Sequence, residues 1–209
     1  MALRLQATRG RPGASGFSLL EALIAIVVIS IGVLGAARLQ LASKHANLES
    51  VQRAVATLLA QEMFERMRGN RTSLAVYTTD GAELTAAPGD PAVDCASAAC
   101  TPEALARYDL WGWWQAISGV TEQAPGAELG ETRAVGGLAA PTTCITGPAG
   151  GAGGPGNYRV AIAWRGVTPL ADPAEVDGCG AGEAAYASPE GEDGESLRRV
   201  LVVQSYIGG

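Results

Sequence analysis

A chain of 209 residues is long enough for one ordinary domain plus an anchor and too short for two large cores. Its 47% hydrophobic and 17% charged residues average over unlike parts: residues 1–16 carry three Arg and no acid, residues 17–68 five bases and four acids, and residues 69–209 seven bases and seventeen acids. The distal net charge of −10 repels phosphates, which argues against direct nucleic-acid binding.

Arg4, Arg9 and Arg11 precede an apolar run of 21 residues, Phe17 to Ala37. Basic residues before such a run hold that end in the cytoplasm. As a helix the run is about 30 Å long, one bilayer core, with Leu19, Leu20, Leu23, Ile24, Val27, Val28 and Ile31 among its lipid-facing residues. Two plainer readings compete: a secretory signal cut near Gly35-Ala36-Ala37, and an uncleaved anchor. Glu21 argues against both. A carboxylate among apolar residues costs roughly 2.5–3.5 kcal/mol on insertion scales and needs a partner or a function. If the chain is cut after Gly16, Phe17 acquires a free amine at a helix N-terminus, where the dipole disfavours positive charge. Residues 17 and 21 are four apart, so on one helix face Glu21 meets its own amine or that of a neighbouring subunit. A pair between subunits sets their axial register.

Gly16-Phe17-Ser18-Leu19-Leu20-Glu21 resembles the type III signal of type IV pilins and pseudopilins. The resemblance implies that a prepilin peptidase cuts after Gly16 and methylates Phe17, and that Glu21 supports assembly. Ser30-Ile-Gly-Val-Leu-Gly-Ala-Ala-Arg-Leu-Gln40 is further similar to the PilV-like minor pilins. The implied layout is a leader at 1–16, a transmembrane and polymerisation helix at 17–38, an amphipathic continuation at 39–69 and a periplasmic head at 70–209. The implied partners are the peptidase, other minor pilins, the major pilin, an inner-membrane assembly platform and the lipid bilayer. The implied role is incorporation in, or priming of, a type IV pilus serving twitching motility, adhesion or DNA uptake; the alternative is a minor pseudopilin of type II secretion.

From Leu39 to Arg68 no proline interrupts a helical pattern, and Leu48, Val51, Val55, Leu58, Leu59 and Met63 recur at three- and four-residue steps. With the membrane run this predicts one helix of roughly 50 residues, stopped at Gly69-Asn70. Gly32 and Gly35 within it permit either local unwinding or close packing between helices. Thr101-Pro102-Glu103 predicts a capped helix to about Ser118, with Leu110, Trp111, Trp114 and Ile117 on one face and Trp113 elsewhere. The tryptophans pack a core or form a docking patch, and packing is preferred.

Alternation predicts strands over Tyr158–Trp164 and Leu197–Ile207, with a weaker one around Thr142–Thr146. The expected fold is α+β, a long N-terminal helix on a small antiparallel sheet. The order of Cys, Tyr-x-Val-x-Ile-x-Trp strand, Cys, Arg-Arg and terminal strand also resembles PilV-like heads, with long Gly-rich insertions as a departure. Residues 147–157 read as a mobile surface loop, and 172–195, with eight acids and no base, as a solvated one.

Cys95, Cys100, Cys144 and Cys179 all follow the apolar run, which favours disulfides over zinc because C-x2-C spacing is missing and His45 is the only histidine. Three connectivities are open; the nearest-neighbour one joins Cys95 to Cys100 and Cys144 to Cys179. No cofactor, metal site or catalytic constellation is expected, and the chain does not read as an enzyme.

Overall fold

The computed structural model describes residues 16–79, 82–126, 130–149, 151, 153–170, 177–188 and 194–208. Helix α1 runs from Leu19 to Gly69. By contact density the chain forms two compact units, Met1–Lys44 and His45–Gly209.

In the first unit the described chain is helical from Leu19 onward, and every residue from Gly16 to Lys44 is exposed. The helix begins two residues later than the expected start at Phe17. The reason is local: the Ser18 hydroxyl accepts a hydrogen bond from Leu20 N–H at 3.3 Å, and the Ser18 carbonyl from Ala22 N–H at 3.1 Å. Ser18 thus caps the helix, and Phe17 stands outside it. Ser30 turns its hydroxyl onto the Ile26 carbonyl at 2.7 Å, so the apolar run carries no loose hydroxyl there. At Gly32 and Gly35 a Cβ meets no atom within 4 Å, so nothing in the isolated helix requires glycine.

The second unit holds the rest of α1, then α2 (Leu74–Tyr77), α3 (Pro102–Ser118), a hairpin of β1 (Gln123–Pro125) and β2 (Thr132–Ala134), and a sheet of β3 (Thr142–Thr146), β4 (Gly156–Arg165) and β5 (Arg198–Ile207). The sheet is an antiparallel meander in chain order. Its register pairs Cys144 with Ala161, and Val160 with Val203. One face, with Tyr158, Val160, Ile162 and Trp164, packs against Ala56, Leu59, Ala60, Met63, Phe64 and Met67 of α1 and against Trp113 and Ile117 of α3. The α+β architecture, a long helix on a small antiparallel sheet, is therefore present. The opposite face is smaller, with Ala161 and the Cys144–Cys179 disulfide. The second disulfide joins Cys95 to Cys100.

Two expectations need correction, and one element is new. The buried stripe of α1 is centred on Ala56, Ala60, Met63 and Met67, while Leu48, Val51 and Leu58 are exposed. The expected Leu59 and Met63 belong to this stripe, whereas Leu58, two residues on from Ala56 and so about 200° around the helix, faces away from it. On α3, Trp113 is the fully buried tryptophan, and its Nε1–H donates to the Leu59 carbonyl at 2.8 Å. Trp111, expected inside, is half-buried and donates to Asp90 at 3.1 Å. The face turned inward runs Ala106, Asp109, Trp113, Ile117, a three- and four-residue series that includes an acid, and Trp114, expected inside, is buried beside it. Finally, the hairpin β1–β2 had no counterpart in the sequence reading, being only three residues a side. Of the loops at 147–157 and 172–195, the described residues include a few anchored ones: Tyr158 Oη donates to Gly154 O at 2.8 Å, and Asp177 and Glu195 form ion pairs; residues 172–176 and 189–193 lie outside the described residues.

Candidate functional site: the N-terminal assembly segment and the framework of the head

The segment expected to carry assembly begins at Gly16-Phe17, both exposed, followed by the Ser18 cap and Glu21 in the first turn of α1. A carboxylate there is favoured by the positive end of the helix dipole. Behind it, Leu19, Leu20, Leu23, Ile24, Val27, Val28 and Ile31 are all exposed, Leu19 at 91% and Phe17 at 84%. Each such side chain left in water forgoes about 1.5–3 kcal/mol, so a helix apolar all round demands lipid or other helices. α1 is long and apolar enough to cross a membrane. Because the chain N-terminal to Gly16 continues, Phe17 here has an amide and no free amine, and its place just outside the helix means the four-residue spacing to Glu21 is not a helical contact in this form.

In the head, a ring of polar contacts locks the distal half of α1. Glu49 is clasped from two sides: Arg199 of β5 meets it in a bidentate pair, Nε to Oε2 and Nη2 to Oε1, both 3.1 Å, and Val167 N–H donates to Oε1 at 2.8 Å. Burial alone pushes this carboxyl up, but the Val167 hydrogen bond and the Arg199 guanidinium outweigh it and hold Glu49 below the usual carboxylate range. Further along, Arg66 bridges Glu62 (Nη2 to Oε1, 2.5 Å) and Asp109 (Nη1 to Oδ1, 2.9 Å). The other Asp109 oxygen accepts from Tyr77 Oη–H at 2.5 Å, and Asn70 Nδ2 donates to that phenol and to Pro102 O. Desolvation, then the Asp109 hydrogen bond, pushes the Tyr77 phenol far up. This network explains the acid on the buried face of α3.

On the sheet's other face, fully buried Arg198 pairs with Glu195 at 2.6 Å and donates to the carbonyls of Asp177 and Cys179, each at 2.8 Å, while Asp177 also pairs with Arg159. The segment after Asp177 is thereby tied to β5 by Arg198 and to β3 by the Cys144–Cys179 disulfide. Tyr186 closes it, its hydroxyl within 2.8 Å of Ala140 O and 2.9 Å of Thr142 Oγ1, and burial pushes that phenol up to about 12. Glu83, Cys144 and Cys179 cluster in a way that resembles a metal site, but both sulfurs are spent in the disulfide, which leaves a single carboxylate as a hard ligand. All four predicted cysteines are thus used as structural bonds. Sequence reasoning missed Glu49, Asp109 and Arg198; the only signal was charge placed within otherwise apolar helix and strand patterns.

Two family models match adjoining stretches of the chain. Residues 11–37 match the prokaryotic N-terminal methylation motif, and residues 38–111 match type IV pilin Tt1218. No curated protein and no solved structure matches. The methylation motif implies a processing peptidase and filament partners, and the pilin family is structural, not enzymatic. An exposed apolar helix that opens on a methylation motif and continues into a pilin-type match over α1 and α3 supports placing this chain in the type IV pilin superfamily.

Proposed function

We propose that the chain is a PilV-like minor pilin, made as a prepilin and cut after Gly16 by prepilin peptidase. The leader is then 1–16, the polymerising helix 17–38, the amphipathic continuation 39–69 and the periplasmic head 70–209. Before assembly the helix lies in the inner membrane; afterwards it is buried among the helices of other minor pilins and the major pilin, on the assembly platform that extracts it. The pilus so primed serves twitching motility, adhesion or DNA uptake.

The observation that carries this reading is the single carboxylate, Glu21, in the first turn of a helix whose next twenty residues are exposed and almost entirely apolar, inside a matched methylation motif. Cutting at Gly16 creates an amine at Phe17, and Glu21 of one subunit offsets that charge on the next. In a low-dielectric filament core this attraction is stronger than at a wet surface, and it acts only at one axial offset, so it selects register while the apolar residues supply adhesion.

Glu21→Ala tests the reading. Membrane insertion should be unchanged, since a costly charge is removed, while recovery of the chain in sheared filaments should fall about tenfold or more, the equivalent of about 1.4 kcal/mol of lost subunit pairing. Normal recovery of the variant would remove Glu21 from assembly. Recovery of the wild-type chain only from a secretion pseudopilus would replace the pilus by the type II secretion alternative.

A further inference from the structure

Two cations mark the end of the apolar run that lies away from the leader. Arg38 directly follows Ala37, Lys44 comes six residues later, and no acid occurs between Glu21 and Glu49. Both cations are exposed on α1, and among the described residues neither has an ion pair or a side-chain hydrogen bond. Glu49, the next acid along the chain, is already held by Arg199. Aromatic side chains, which commonly hold a helix at the boundary between lipid and water, are missing here: the first Trp or Tyr of the chain is Tyr77.

Spacing puts the cations at the level of lipid headgroups. The helical stretch from Leu19 to Ala37 is about 28 Å long, close to the roughly 30 Å of a hydrocarbon core. Arg38 therefore stands at the edge of the core, and Lys44 about 9 Å further along, across a headgroup layer about 5–8 Å thick. Long basic side chains at such a depth extend their charges toward phosphate oxygens while their stems stay in apolar surroundings. Direction discriminates between partners. Six residues turn a helix by about 600°, so the two side chains leave it about 120° apart. An acidic patch on one protein reaches one side of a helix, whereas headgroups surround it. Removal of the leader, with Arg4, Arg9 and Arg11, leaves Arg38 and Lys44 as the basic side chains nearest either edge of the membrane.

We propose that Arg38 and Lys44 form an anchor for anionic phospholipids, binding headgroup phosphates in the leaflet away from the leader. This rests on the membrane part of the reading above. Native mass spectrometry of the full chain in detergent micelles tests it, with phosphatidylglycerol or phosphatidylcholine added. The leader arginines carry Arg4→Gln, Arg9→Gln and Arg11→Gln throughout, so that the far end of the apolar run alone is basic. This chain should retain phosphatidylglycerol at least about fivefold more than phosphatidylcholine. Adding Arg38→Gln and Lys44→Gln should bring the ratio to about one, while Arg38→Lys with Lys44→Arg, which keeps both charges, should leave it unchanged. No preference in the starting chain, or a preference that survives loss of both cations, would overturn the inference. Release of the lipid by equimolar inorganic phosphate would reassign the site to free phosphate and overturn the lipid as partner. The assay needs neither cleavage nor filaments, so these failures leave the prepilin reading standing. An uncut Met1 terminus in cells would in turn sink that reading and leave the lipid preference in place.

Discussion

Glu21 is the only charged residue between Arg11 and Arg38. Glu49, in contrast, is one charge among many, and its role emerges only in three dimensions, where Arg199 arrives from 150 positions away. Because Glu49 titrates below the ordinary carboxylate value of 4.5, it contributes stability that is fully present above that value and is lost as pH falls through the lower folded value. Glu49→Gln should therefore be less stable than the wild type by about 1 kcal/mol at pH 7. Below about pH 4.5 that gap should shrink and then vanish, as urea unfolding of the full chain in detergent at several pH values would show. A gap that persists unchanged in acid would mean that Glu49 acts by shape and not by charge.

At the scale of elements, α3 shows how far pattern reasoning reaches. Its start is dictated locally: Thr101 Oγ1 accepts from Ala104 N–H at 3.3 Å and Pro102 takes the first turn. Its end is also local, since Gly119 at φ +66 is the left-handed cap, and a Cβ there would lie 1.9 Å from Gly136 O. Which tryptophan turns inward is not local. Apolarity alone favours Trp111 and Trp114; Trp114 is buried, but Asp109, held by Arg66 and Tyr77, fixes a rotation that turns Trp113 inward and leaves Trp111 half-buried. Trp113→Ala should accordingly cost about 3–5 kcal/mol in chemical unfolding, and Trp111→Ala below about 1, reversing the order that the sequence suggests. The strands were legible because their residues alternate: β3, β4 and β5 fall on or within two residues of the expected segments. The helix of 51 residues was legible because no proline and no cap interrupts it before Gly69. The hairpin β1–β2 was not, because three residues carry too little periodicity. At the N-terminus the motif residues were legible, but the start of the helix at Leu19 depends on the Ser18 cap.

Over the whole molecule, one chain joins a helix that water cannot solvate to a disulfide-bonded, acidic head. The two disulfides close loops of 5 and 35 residues, worth about 2 and about 4 kcal/mol by loop entropy, which suits a small sheet with long connections. The apolar helix calls for lipid or other helices around it, and the proposed function, supported by the match to the methylation motif and the position of Glu21, takes it from membrane to polymer through cleavage at Gly16. Mass spectrometry of the mature protein from cells that contain prepilin peptidase tests this most directly. The account predicts an N-terminus at N-methylated Phe17; an uncut Met1 terminus, or cleavage near Ala37, would contradict it.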